Sequence, residues 1–281
     1  LQDDRMRYII ENIVSLPDDA LSMPNKIGNT IISHFYGARG IHTVVTGIKD
    51  PKKAHVDFQR ISDGDEDYLN EIKRQVAASK AKKMKFYGTT ELHTSLQTAA
   101  RNYCRLKYND PARPASLTDI IEWISSWIHS GFIQNIMTNA TSLEKMFDLL
   151  RTQAGIGEYY GYHCATSNSV NPKLPFDHDE NFCSPGPGAK DTLDKLFPTY
   201  TGKRPYGKMV IWMRDNQSVL FPNLKIHEFF HNYKLDDGSL VFKDSQHNLK
   251  SYGTEVLCCQ FSVYNHLKAN PHLINKRKVA R

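Results

Sequence analysis

Residues 142 to 188, SLEKMFDLLRTQAGIGEYYGYHCATSNSVNPKLPFDHDENFCSPGPG, constrain the fold more than any other part of the chain. Leu143, Met146, Phe147, Leu149 and Leu150 fall on one apolar helical face. Gly155-Ile156-Gly157 ends that helix, and a second one begins at Glu158. Glycine lets the backbone turn tightly with no side chain projecting from the turn. The helix N-terminus behind such a turn presents N–H groups that suit a phosphate. The stretch therefore predicts two helices joined by a tight hairpin, with Gly155, Ile156 and Gly157 as candidates for gripping a nucleic-acid backbone.

Helices are predicted on both sides of this hairpin. Met6, Ile9, Ile10 and Ile13 share one stripe over 5–14. Residues 65–85 read as a long, basic, largely exposed helix, and 91–108 as another, ended by NDPARPAS. Ser116 to Asp119 form an N-cap signal for a helix carrying Ile120, Ile121, Trp123, Ile124, Trp127 and Ile128, closed by Gly131. The two tryptophans, at helical spacing, read as core. Thr141 to Glu144 read as a capping box for the first hairpin helix. IHTVVTGI (41–48) and KMVIWM (208–213) each fit a short strand or a buried helical turn. The fold class is mainly α with few short strands. Three regions are expected: an N-terminal helical lobe over 1–110, the hairpin core over 111–200, and a C-terminal helical region over 201–281.

With 281 residues and 40% apolar content, the chain can bury a proper core. A net charge of +6 is modest, but Lys80, Lys82, Lys83 and Lys85 cluster, as do Lys276, Arg277, Lys278 and Arg281. Each cluster suits either phosphates or a solvated face. Five cysteines without CxxC spacing do not form a disulfide framework, which points to a reducing, cytoplasmic setting. No apolar run has the length of a membrane span, so no membrane partner is expected.

A different chemistry is written at 227–231, His-Glu-Phe-Phe-His. On a helix the two histidines lie one turn apart and suit zinc, with Glu228 as base and Glu255 as a third ligand. That alternative reading is a zinc peptidase. Asp236 to Ser239 read as a turn, and Cys258-Cys259 as small apolar residues of the last helix.

Asp177 lies twenty positions after Gly157, in LPFDHD. In this spacing the segment resembles the helix-hairpin-helix DNA glycosylases, which place an aspartate at this distance past the hairpin. The lysine of bifunctional glycosylases is replaced here by Glu158. The string GIGEYYGYH, an aspartate, Gly186-Pro187-Gly188-Ala189 and CQFSVY (259–264) is similar to a sister family. These are the α-glutamyl/putrescinyl-thymine pyrophosphorylases, or amino-acid:DNA transferases, of DNA viruses. Gln260 stands where that family has an acid, and Val263 where it has a lysine. The resemblance covers roughly 115–268. It implies a glycosylase-like helical fold that acts, in the host cytoplasm, on double-stranded DNA containing pyrophosphorylated 5-hydroxymethyluracil. A small amine or amino acid displaces the pyrophosphate. Asp177 and Asp179 are then the catalytic candidates. Gly186, Gly188 and Lys190 are candidates for the phosphates, and Tyr159, Tyr160, His163 and Gln260 for the pocket of a flipped base. No resident cofactor is implied beyond a divalent metal assisting pyrophosphate release, and a monomer is expected. A DNA glycosylase acting on a modified base is the runner-up.

Overall fold

The structure, a computed structural model, describes residues 4–36, 41–81, 94–114, 116–171, 173–176, 181–220 and 250–271. Among these residues every regular element is a helix. The chain separates into two compact units, one spanning 4–176 and one spanning 177–281 together with 1–3.

The larger unit opens with α1 (Asp4–Ile9), which continues as a π-helical turn over Ile10–Val14. The predicted stripe of Met6, Ile9, Ile10 and Ile13 is fully buried. Next come α2 (Met23–Tyr36), α3 (Ile41–Thr46), α4 (Phe58–Ser62), α5 (Glu66–Ala81), α6 (Thr94–Lys107), α7 (Leu117–His129), α8 (Phe132–Asn139), α9 (Leu143–Arg151) and α10 (Glu158–Ser169). The segment read as strand or helical turn at 41–48 is therefore helical over Ile41–Thr46, with Ile41, His42 and Val45 buried. An isolated β-branched run has no partner strand here, and α5 supplies its packing instead.

Helix α7 is the hub of this unit, packed on α4 and α6 and touching α2, α5 and α8. Ser116 caps it through a full capping box with Asp119. Trp123 and Trp127 meet edge-to-face at 4.9 Å within the core. The cap of α9 differs by one residue from the predicted box. Ser142, in extended backbone, accepts the Lys145 N–H at 3.0 Å, so no glutamate stands at the reciprocal position.

Polar pairs tie sequence-distant segments to α2. Asn29 donates to the Val56 carbonyl at 2.8 Å and accepts the Val56 N–H at 2.9 Å. Asn25 accepts the Phe58 N–H at 2.9 Å. The strapped segment lies so close that a Cβ on Gly28 would stand 2.5 Å from the Phe58 ring.

A buried acid pair organises α5, α6 and α7. Glu122 and Asp119 are almost wholly buried. Lys107 reaches Glu122 at 3.2 Å, Arg113 at 3.5 Å and Lys73 at 3.7 Å. Arg113 also holds Asp119 at 3.0 Å. Tyr108 donates to Glu122 while its ring lies under the Arg113 guanidinium, at 4.5 Å. Burial, then the Glu122 contact, pushes the Tyr108 phenol up to about 12.

The smaller unit contains α11 (Pro187–Leu196), α12 (Tyr206–Asp215), α13 (Gln217–Leu220) and α14 (Ser251–Ala269). Helices α11 and α12 both pack on α14. The KMVIWM segment lies inside α12, with Met209, Val210 and Met213 on its buried side. Gly207 is required there, because a Cβ would stand 2.1 Å from the Cys183 carbonyl oxygen. All five cysteines are free thiols. No helix among the described residues is long and apolar enough to cross a membrane.

Two stability predictions follow from the larger unit. His42 is fully buried, and burial, then repulsion from His55, lowers its pKa to about 3. The unfolded chain takes up that proton near pH ~6.5, so this contribution is whole above pH ~6.5 and is lost progressively as pH falls towards 3. Urea unfolding between pH 6 and pH 4 is expected to show stability falling by up to about 1.4 kcal/mol per pH unit from this group, with about half that loss between pH 7 and 6. His42→Asn should flatten the slope, leaving the smaller share of His55, whose pKa burial also lowers. Glu122→Gln removes half of the buried negative charge and is expected to cost about 2 kcal/mol. That is less than a sealed pair would cost, because Lys73 and Lys107 reach water with about a third of their side chains exposed. Denaturant midpoints of the two proteins measure it.

Candidate nucleic-acid interface and a buried acid

The hairpin forms as its residues require. Helix α9 buries Leu143, Met146, Phe147 and Leu150 and ends at Thr152, whose hydroxyl donates to the Leu149 carbonyl at 2.7 Å. Gly155 turns the chain with a φ of 81°, a conformation that glycine adopts without cost. Ile156 is buried, which pins the turn to the core. Gly157 begins α10 in extended backbone, and a Cβ placed there would meet nothing within 4 Å. The turn thus faces open space on the Gly157 side. Helices α9 and α10 approach closely at Gly161, where a Cβ would stand 3.0 Å from Arg151 and 3.2 Å from Phe147. Arg151 lies over the Phe147 ring at 5.1 Å and sets a cation beside the turn. Glu158 sets an acid in the first turn of α10, where it favours the helix dipole and opposes a phosphate.

Helix α10 has no apolar face. Every residue from Gly161 to Asn171 is buried, and His163, Thr166, Ser167, Asn168, Ser169 and Asn171 are polar. One face runs from the hairpin mouth inward. Tyr159 and Tyr160 are half-buried, with their rings edge-on at 5.2 Å. His163 lies 4.2 Å from the Tyr159 ring, and His34 lies 5.9 Å further in. His34 Nε2 meets the Ser167 hydroxyl at 2.5 Å. The three predicted pocket residues of this helix, Tyr159, Tyr160 and His163, are therefore adjacent. His34 and Ser167 were not foreseen, since His34 stands 133 positions away in the chain.

In the smaller unit, Gly186-Pro187-Gly188-Ala189 forms the start of α11, with Gly186 as N-cap and Pro187 in the first turn. This turn is held from within by α14. The Gly186 N–H donates to Glu255 Oε1 at 3.0 Å. The Ala189 N–H points to the Cys259 sulfur, and the Cys259 thiol donates to Glu255 Oε1 at 3.3 Å. Gly188 lies on Cys259, where a Cβ would be 3.3 Å from the sulfur. Lys190, one residue on, has its ammonium 5.8 Å from the Tyr206 ring centre. Gln260 is exposed on α14.

Asp177 and Asp179 lie outside the described residues, as do His227, Glu228 and His231 of the zinc reading, Asp236 to Ser239 and most of both lysine-arginine clusters. Glu255, the third ligand of that reading, is the acid held by Gly186. Among the described residues one group of donors converges as a metal site would: Cys104, Asp119 and Glu122, within 4.8 Å of one another. The fit is poor. Lys73, Lys107 and Arg113 already balance the two carboxylates, and burial, then Glu122, pushes the Cys104 thiol up to about 12.

Compared with known proteins, residues 66–269, well over half of the chain, match the family described as 5-hmdU DNA kinase, helical domain. No curated protein matches, and no solved structure does. A helical chain with a glycine hairpin and a ring-lined histidine beside it thus belongs to the family of 5-hmdU DNA kinase helical domains.

Proposed function

We propose that this protein modifies 5-hydroxymethyluracil in DNA by amine transfer. The observation that carries this reading is the ring and histidine cluster of Tyr159, Tyr160 and His163 at the start of α10, in a family named for 5-hmdU DNA. The hairpin turn at 155–157, with open space before Gly157 and Arg151 beside it, suits a DNA backbone. A nucleotide turned out of the stack would have its base stacked on Tyr159 or Tyr160 and its polar edge met by His163.

The reaction in this reading starts from a pyrophosphate ester on the 5-hydroxymethyl group. The lone pair of an amine attacks the methylene carbon, forming a C–N bond. The C–O bond to pyrophosphate breaks, and pyrophosphate leaves with that electron pair. The amine's surplus proton passes to Asp177 or Asp179 and then to solvent. Lys190 supplies positive charge for the leaving group.

A second reading is favoured by the family's own description. In it, the chain is the DNA-handling part of a kinase and presents 5-hydroxymethyluracil to a phosphoryl-transfer domain. No Gly-Lys-Ser or Gly-Lys-Thr of a phosphate-binding loop occurs in the 281 residues, so that chemistry would rest on other residues or another domain.

Nucleoside mass spectrometry separates these readings. DNA carrying pyrophosphorylated 5-hydroxymethyluracil is incubated with the protein and a mixture of amino acids and polyamines. Amine transfer predicts a thymidine heavier by one amine, absent with an Asp177→Ala/Asp179→Ala double variant. Tyr159→Ala should slow formation of the product by roughly tenfold, the scale of one lost base stack. A phosphorylated nucleoside from 5-hydroxymethyluracil DNA and ATP would support the kinase reading instead. Free base with abasic sites would make the protein a glycosylase.

A further inference from the structure

The end of α6 carries more positive charge than the fold uses. Buried Asp119 and Glu122 are met by Lys73, Lys107 and Arg113 at 3.0 to 3.7 Å. Two acids account for only two of these three cations. All three heads gather around one ring, that of Tyr108, at 5.9, 5.1 and 4.5 Å from its centre. They are not sealed in, since 33% of the Lys73 side chain, 38% of Lys107 and 21% of Arg113 stay in solvent.

Arg101 and Arg105 extend the cluster back along α6. With Tyr108 they stand at i, i+4 and i+7 and so share one helical face. Arg105 donates through Nε to the Arg113 carbonyl at 3.2 Å, which ties it to the cluster. Both arginines are half-buried, and among the described residues neither meets a carboxylate. The helix dipole favours Arg105 and Lys107 in the last turn, but its effect does not extend to Arg101 a turn earlier. Nearby acids do not restore the balance. Asp110 is turned to the Ala112 N–H at 3.0 Å, and Glu71 on α5 is matched by Arg74 at 2.6 Å. With Asp110, Asp119 and Glu122 all ionised, these five cations still leave a surplus of two positive charges.

The length of the row says which anion suits it. Seven helical positions at 1.5 Å each span roughly 10 Å. A DNA strand carries one phosphate about every 3.4 Å of helix axis, so the row meets two or three in succession. A single phosphate ion would occupy one end only. We propose that Arg101, Arg105 and the Lys73, Lys107 and Arg113 cluster form a second DNA-backbone contact, apart from the hairpin turn at 155–157. Glu122 lies beneath it and positions the three heads. Such contacts fix the register of the duplex and carry no sequence information. The inference rests on DNA as the substrate and not on amine transfer.

The test follows fluorescence anisotropy of a labelled duplex with the full chain, between about 50 and 200 mM salt. The duplex carries either 5-hydroxymethyluracil or thymine. Arg101→Gln/Arg105→Gln leaves the Glu122 pairs in place. It is expected to weaken binding roughly tenfold at ~0.1 M salt, equally on both duplexes, and to lower the slope of log Kd against log salt by about 1.8. Arg101→Lys/Arg105→Lys keeps the charges and should keep the slope. Lys52→Gln/Lys53→Gln, which removes two exposed lysines elsewhere, should leave affinity and slope unchanged. An unchanged slope in the Arg101→Gln/Arg105→Gln variant would overturn the proposal, as would the absence of salt-dependent binding by the wild type. So would an equal fall in Lys52→Gln/Lys53→Gln, which would reveal overall charge alone, or a loss confined to the modified duplex. A fluorescent ATP analogue displaced from that arginine variant, with the DNA slope intact, would reassign the row to a nucleotide. Should the double variant fail to fold, Arg101→Gln alone decides, with about half the change in slope. A row that grips DNA while no modified thymidine forms would sink the transfer reading and leave this surface standing. Transfer that proceeds with the slope unchanged would do the reverse.

Discussion

A helix buried on all sides that carries polar residues has only one comfortable placement, and α10 imposes that condition on the larger unit. From Gly161 to Asn171 every residue is buried, so the hydroxyls, amides and imidazole depend on partners within the protein. Asn168 returns to the Cys164 carbonyl at 2.8 Å, and Ser169 to that of Thr166 at 2.8 Å. Ser167 meets His34, and Asn171 reaches the Met23 sulfur at 2.9 Å. The first two bonds travel with the helix, but a slip of α10 by one residue would break those of Ser167 and Asn171 to other elements, at about 1–3 kcal/mol each. An apolar helix would tolerate the slip far better. The register of α10 fixes where Tyr159 and His163 stand and where the hairpin turn points.

The same demand explains which features could be read from the sequence. The hairpin was legible because its determinants are local: an apolar stripe, two glycines and a change of composition within fifteen residues. The Ser116 cap was legible for the same reason, as were the buried stripe at 6–13 and the tryptophan pair. The partner of Ser167 was not, because nothing around His34 marks it as that partner. The cations around Glu122 were equally hidden, coming from Lys73, Lys107 and Arg113 in three separate segments. Local apolar runs also mislead. KMVIWM has the composition of a strand, yet with no strand to pair with it lies within α12 and packs on α14.

The two glycine turns show how one local signal can serve two purposes. Both begin helices with a glycine N-cap in extended backbone. The turn at 155–157 has open space before it, whereas the turn at 186–189 has its Gly186 and Ala189 N–H groups taken by Glu255 and Cys259. A phosphate seeking the second turn would compete with a carboxylate already in place. The positive end of α11 therefore works inward, giving a buried acid an N–H donor. Spacing alone does not distinguish the two, since what differs is an acid 69 residues further along the chain. Physically, the first turn leaves its Gly157 side open, whereas the N–H groups of the second are spent inside the fold on an acid and a thiol.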